Sequence, residues 1–304
     1  MWKTVLFLIF TLLVVPFVAF KYDDLPSISQ QSTLVTLTYV YVGSALFSFL
    51  LSTITKNYSQ VDKLWSILPI VYVWIACADA NYEPRILMMA ILVTIWGLRL
   101  SYNFARRGGY QWKFWEGDED YRWAILMDKP EFQPHWKWVA FNFFFISFYQ
   151  LGLILLFTIP IVKCMDGKPL GLWDYLLFGS FLLTVVIEAI ADQQQWDYQN
   201  KKHQAIRGEI EMTDDYKKGF LDTGLWGIVR HPNYAAEQWV WILFYFYTIS
   251  ATGIWINWAI TGSLLLVILF KGSSDFSEEI SEGKYPAYKE YKKSVPRFVP
   301  GLKF

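Results

Sequence analysis

Cysteine and histidine are scarce in this chain: its 304 residues contain two Cys, Cys77 and Cys164, and three His, at positions 135, 203 and 231. Two thiols, each beside or within an apolar block, build neither a disulfide framework nor a thiolate metal site. Three isolated histidines are too few for a histidine-rich di-iron centre and disfavour a zinc hydrolase, so no metal site is expected. There is no G-x-G-x-x-G turn and no Walker loop, so a nucleotide has to be held without a Rossmann or P-loop fold. No G-x-S-x-G elbow is present, which removes the signature of a serine esterase. Charge is sparse too, with 18% charged residues and a formal net charge of zero, which argues against nucleic acid as a partner. No internal repeat and no low-complexity linker occurs.

What the chain has in abundance is apolar surface: 54% hydrophobic and 19% aromatic residues. These residues come in blocks close to the roughly 20 that a helix needs to cross about 30 Å of hydrocarbon. Blocks run over 4–20, 33–55, 64–80, 86–103, 139–162, 172–191, 234–250 and 254–270. The expected fold is therefore all-α, a polytopic transmembrane bundle of about seven or eight spans, with N-terminal spans in 1–55 and a membrane domain in 56–304. The first block lacks a convincing small-residue cleavage site and is expected to stay as an anchor. If every block spans, 22 of the 27 Lys and Arg fall on one side, leaving Lys21, Arg85, Lys163 and Lys168 on the other and Arg99 within a span. That asymmetry puts both termini in the cytosol by the positive-inside rule. Among the 16 Trp, those at helix ends, such as Trp65, Trp96, Trp138, Trp173 and Trp239, are expected in the aromatic belts.

Ionisable residues at a membrane helix edge are functional hypotheses once snorkelling is considered, and three places qualify. At the end of the fourth block, Arg99, Tyr102, Asn103 and Arg106 share one helical face, where a tyrosine beside cations can donate a proton or simply anchor at the headgroups. At the end of the sixth, Glu188, Asp192, Gln195 and Gln199 form a single stripe of acceptors suited to ribose hydroxyls or an adenine edge, or to a neighbouring helix. In GLWGIVRHPNYAAEQ, Pro232 suits a first helical turn, so Arg230 and His231 stand at a helix start whose free N–H groups favour an anion. Glu237 follows one turn after Asn233, and a capped helix start with an interfacial Arg is the plainer alternative.

RHPNYAAEQ, the preceding TGLWGIV and the tail KYPAYKEYKKSVPRFVP together resemble the steroid 5α-reductase-like membrane family, closest to its uncharacterised branch. SQVDKLWSILP, WGLRLSYNFARR, GDEDYRW and the IEAIADQQ stripe have counterparts there as well, so the resemblance spans about residues 55–300. The superfamily holds NADPH-dependent sterol and steroid double-bond reductases, and also isoprenylcysteine and phospholipid methyltransferases that use S-adenosylmethionine. Both share the R-H-P-x-Y-like helix start. The acceptor stripe together with the tyrosine-bearing fourth span favours a reductase of a carbon–carbon double bond in a steroid-like or other lipid. A methyltransferase and a non-enzymatic lipid-binding protein are the alternatives.

The resemblance implies NADPH in a cytosol-facing cavity, contacted by Glu188, Asp192, Gln195, Arg230, His231, Asn233, Tyr234 and Glu237, with Tyr288 and Tyr291 from the tail. It implies Tyr102 as the donor to the developing oxyanion, with Asp62 or Arg99 assisting. The steroid enzymes' catalytic glutamate has no matching local motif here, so Asp62 stands in by loose analogy. The endoplasmic reticulum is the membrane the family suggests.

Overall fold

The computed structural model describes residue 10 and residues 14–302, so the first apolar block, 4–20, lies largely outside the described residues. Among the described residues every regular element is helical and no strand occurs. The long helices are α1 (Ile28–Thr55), α2 (Gln60–Asp79), α3 (Pro84–Ala105), α4 (Trp136–Lys163), α5 (Leu172–Ile206), α6 (Pro232–Thr252) and α7 (Ile260–Lys284). All but α6 are long and apolar enough to cross a bilayer, six in total among the described residues. The chain is a multi-pass integral membrane protein.

Helix boundaries follow local chemistry. Ser27 starts α1 with a capping box: its Oγ accepts from Gln30 N at 3.2 Å while its own N donates to Gln30 Oε1 at 3.0 Å. Pro84 opens α3 at the first turn, after Glu83, whose carboxylate accepts from Arg85 N. The last block begins later than its hydrophobicity implies, at residue 260 instead of 254. Asn257 explains the delay, because its side chain accepts from Ala259 N at 3.1 Å and donates to Thr248 Oγ1 at 2.8 Å, holding a turn where apolar content alone reads as helix.

The chain divides into two compact units, Met1–Phe178 with Phe244–Leu265, and Gly179–Leu243 with Leu266–Phe304. In the first, α1 presents only a narrow buried stripe, Gln30, Thr33, Leu37, Ala45, Ser48 and Ser52. Helices approach closely at glycines: a Cβ on Gly97 would lie 2.7 Å from Ser66 O, and one on Gly262 would lie 2.1 Å from the Leu156 carbonyl carbon. Within α4, residues Asn142–Tyr149 are π-helical. There Asn142 Nδ2 donates to Ser52 Oγ at 2.9 Å and to Thr53 Oγ1 at 3.2 Å, an interhelical clasp of the kind lipid favours.

Two of the five Lys and Arg that the sequence count set apart prove to be internal pins. Arg85, wholly buried, makes a bidentate pair with buried Asp174, at 2.8 and 3.1 Å, and also donates to the carbonyls of Lys168 and Pro169. Lys163 meets Asp23 at 2.7 Å, and the second oxygen of Asp23 accepts from Trp258 N. Trp96 and Trp138 are also fully buried, which corrects their expected place in the aromatic belt. Their rings fill the core of the first unit because the α3 and α4 faces that carry them point inward.

The second unit packs most of α5, the 207–231 connection, the first half of α6, most of α7 and the tail. Phe220, Tyr288 and Tyr291 form its aromatic centre, with Tyr285 and Val295 against it. Gly219 sits at φ +90°, where a Cβ would come within 2.1 Å of the Tyr285 ring, so this turn requires glycine.

Candidate functional site

The acceptor stripe of α5 and the start of α6 meet within the second unit. Asn233 Nδ2 donates to Asp192 Oδ1 at 3.3 Å, and Asn233 Oδ1 in turn accepts from Tyr234 N at 3.0 Å. Glu188 and Asp192 are both buried. One turn further along the stripe, Gln195 Oε1 is buried with no hydrogen-bond donor against it. Buried polar atoms are nearly always satisfied, so such an acceptor marks a place where a donor group fits. The 225–228 segment is fixed to the same helix, Leu225 N donating to Gln194 Oε1 at 3.0 Å and Trp226 Nε1 to Ala191 O at 3.1 Å.

Arg230 and His231 hold different partners from those expected. Glu278, wholly buried on α7, accepts from Arg230 Nε at 2.8 Å and Arg297 Nη2 at 3.2 Å, meets His231 Nε2 at 3.0 Å and lies 3.4 Å from Lys292 Nζ. Asp275 pairs with Arg297 at 2.6 Å and Glu282 with Lys292 at 2.5 Å, so cations and carboxylates balance around it. The backbone just before the helix start is tied to the tail as well: Arg230 N donates to Pro296 O at 2.8 Å and His231 N to Arg297 O at 3.2 Å. Arg230 Nη1 also donates to the carbonyls of Lys292 and Val295. The tail is thus bonded to both the backbone and the side chain of Arg230 and to the backbone of His231. Arg230 and His231 act here by fastening the tail.

Burial pulls the His231 imidazole below its ordinary pKa, and the adjoining Glu278 only partly opposes that. His231 stacks on Tyr234, with ring centroids 5.4 Å apart, and Tyr234 packs on Phe270. Glu237 is buried and accepts from Trp241 Nε1 at 3.0 Å. Tyr291 donates to Trp226 O at 2.5 Å, and burial raises both it and Tyr288 above the ordinary tyrosine range. Those two tyrosines belong to the aromatic centre that locks the tail down.

Further along α5 a separate cleft of about 320 Å³ is lined by Asp197, Tyr198, Lys201, Thr213, Asp215, Tyr216, Lys218, Leu221, Asp222 and Thr223. Lys218 pairs with Asp222 at 2.6 Å, and Tyr198 donates to Asp215 O at 2.8 Å. Sequence reasoning missed this cleft and missed Glu278. The cleft residues lie in a connection with no periodicity. Glu278 sits in SSDFSEEISEGK, where Ser274, Glu278 and Glu282 fall on one helical face, a polar stripe that was legible in principle.

The residues expected to do the chemistry, Tyr102, Arg99 and Asp62, belong to the first unit, and all the cofactor candidates to the second. Tyr102 is 67% exposed, and Arg106 lies 5.7 Å from its ring centroid. Arg106 Nε also donates to Asn103 Oδ1 at 2.9 Å, so Tyr102, Asn103 and Arg106 of the expected face do meet. Arg99 is half-buried on the same helix. Asp62 is half-buried, with Asp120 and Arg122 as charged neighbours. The two motifs interlock there, Tyr58 N donating to Glu119 Oε1 at 2.5 Å and Asp120 N to Ser59 Oγ at 2.9 Å.

Comparison with known proteins gives one family match. A family described as "Protein of unknown function (DUF1295)" matches residues 48–295. An uncharacterised protein of Schizosaccharomyces pombe is 36% identical over 285 residues, covering 87% of this chain and 81% of the relative. No solved structure matches the chain.

Proposed function

This chain belongs to the DUF1295 family, and from that premise we propose that it is a membrane-embedded NADPH-dependent reductase of a carbon–carbon double bond in a steroid-like or other lipid substrate. On this reading it is a member of the steroid 5α-reductase-like superfamily, with both termini in the cytosol and the endoplasmic reticulum as its membrane. The observation that carries the reading is the junction of Asp192 with Asn233, beside the unsatisfied acceptor of Gln195 and with a polar cleft further along the same helix.

The donor set fits a dinucleotide. Gln195 Oε1 accepts an amide or hydroxyl hydrogen, and the Asp192 carboxylate suits a ribose. Lys201 at the cleft supplies positive charge for phosphates, a task that Arg230, held by Glu278, and Lys218, held by Asp222, do not share. Bound NADPH supplies the hydride. Tyr102 remains the proposed proton donor, with Asp62 or Arg99 assisting.

The test is a thermal-shift comparison on the purified full chain, since a ligand that binds only the folded state raises its melting temperature. NADPH is expected to stabilise and S-adenosylmethionine to leave the transition unmoved. Asn233→Ala and Lys201→Ala are each expected to weaken NADPH about tenfold, equivalent to about 1.4 kcal/mol, with the unliganded melting temperature nearly unchanged. Stabilisation by S-adenosylmethionine alone, or full NADPH affinity in both variants, removes the reductase reading.

A further inference from the structure

We propose that residues 110–116 form a rigid aromatic wedge seated in the interfacial layer of the bilayer leaflet beside the α3–α4 connection. This inference is independent of the enzyme reading.

The segment is a closed loop. Asp118 N donates to Gly108 O at 3.0 Å across its neck, and both neck glycines require their residue type: Gly108 has φ +85°, and Gly117 has φ +131° with its Cβ position 2.3 Å from Gly109 O. Side chains from beneath then pin its carbonyls one after another. Lys63 Nζ donates to Phe114 O at 2.9 Å and Glu116 O at 2.6 Å, Gln60 Nε2 to Trp115 O at 2.9 Å, and Asn57 Nδ2 to Gly117 O at 2.9 Å. Gln60 and Lys63 are buried by this task. A loop held this firmly presents its outer side chains in fixed positions.

Those side chains are apolar. Trp112 is fully exposed, Phe114 is 57% exposed and Trp115 39%. In water three neighbouring aromatic rings held open are unfavourable, whereas Trp is at home where headgroups meet acyl chains. The wedge is continuous with a membrane surface: Phe114 stacks on Phe47 of the span α1, centroids 6.4 Å apart and planes 21° apart, and Phe47 is itself 49% exposed. Lys113, between Trp112 and Phe114, is exposed and paired with Glu116 at 3.1 Å, a charge pattern that suits the zwitterionic headgroup level. The occupant of this surface is therefore phospholipid, at the glycerol and upper acyl level.

The test uses the full chain in phosphatidylcholine vesicles, with an environment-sensitive nitrobenzoxadiazole label on Trp112→Cys and, for reference, on Asp214→Cys. Both native thiols are buried, and the unsubstituted chain treated with the same label serves as the blank. The label at 112 is expected to emit to the blue of the label at 214 and to be quenched several-fold more by acyl-brominated lipid than by iodide, with the reverse order at 214. Equal iodide quenching at both positions, with no effect of brominated lipid at 112, overturns the proposal and leaves the wedge to a soluble partner. Hydroxyl-radical footprinting of the unsubstituted chain in phosphatidylcholine nanodiscs covers a misfolded variant. Trp112 oxidised several-fold more slowly than in the free 108–118 peptide supports insertion, and an equal rate refutes it.

Discussion

In the first unit, buried Arg85 faces a single carboxylate, Asp174, and gives further donors to two backbone carbonyls; in the second, buried Glu278 is shared among Arg230, His231, Arg297 and Lys292. The first arrangement is a closed pair that ties a connecting loop to two helix ends. The second joins a helix start, a helix end and the tail, and its charges can be redistributed among several partners. A closed pair is suited to holding a scaffold. A shared carboxylate is suited to holding the tail in place, because loss of one partner leaves the others bound.

That contrast can be broken most directly at Asp174. Asp174→Ala leaves Arg85 buried without its counter-ion and is expected to destabilise the protein by about 3–5 kcal/mol, read as loss of folded protein in a detergent melt. A small change there would mean that the pair is not the pin described.

Glu278→Gln sharpens the comparison from the other side. It keeps the shape and removes one charge from a network that retains Asp275 and Glu282, so about 2–3 kcal/mol is expected from the weakened charge-assisted hydrogen bonds. Limited proteolysis should then release the tail beyond residue 284 first. If Glu278→Gln proves as damaging as Asp174→Ala and leaves the tail protected, the two units hold their charges in the same way.

The smallest effect is in pH. Since burial lowers the His231 pKa in the fold, the unfolded chain binds the proton more readily, and stability contributed by the neutral imidazole is lost as pH falls through the ordinary histidine range near about 6.5. Glu278, Arg230 and Arg297 face this ring. Melting temperature between about pH 8 and about pH 5 should fall less steeply in His231→Gln than in the natural chain, and parallel slopes would rule the imidazole out.

Much of this was legible before any coordinates. Most helices followed the apolar blocks within a few residues, although α5 and α7 run well past the ends of theirs, and Asp192 of the acceptor stripe did come within hydrogen-bond reach of Asn233. The failures were at residues whose roles depend on distant partners. Asn257 interrupts an apolar run through its side-chain bonds, and Trp96 and Trp138 read as belt residues because sequence cannot say which face of a helix is covered. Arg230 read as an anion site because Glu278 is 48 residues away.

The sequence by itself determined that this is a helical membrane protein, because hydrocarbon admits only segments that satisfy their own backbone, and such segments declare themselves by length and composition. It also determined which faces are polar, through the period of the helix. Only the tertiary structure decided what those polar groups do: whether a cation meets a ligand or a carboxylate of its own chain, and whether an exposed loop is loose or pinned. Those outcomes depend on which side chains arrive within about 3 Å of one another, and residues far apart along the chain carry no record of that meeting.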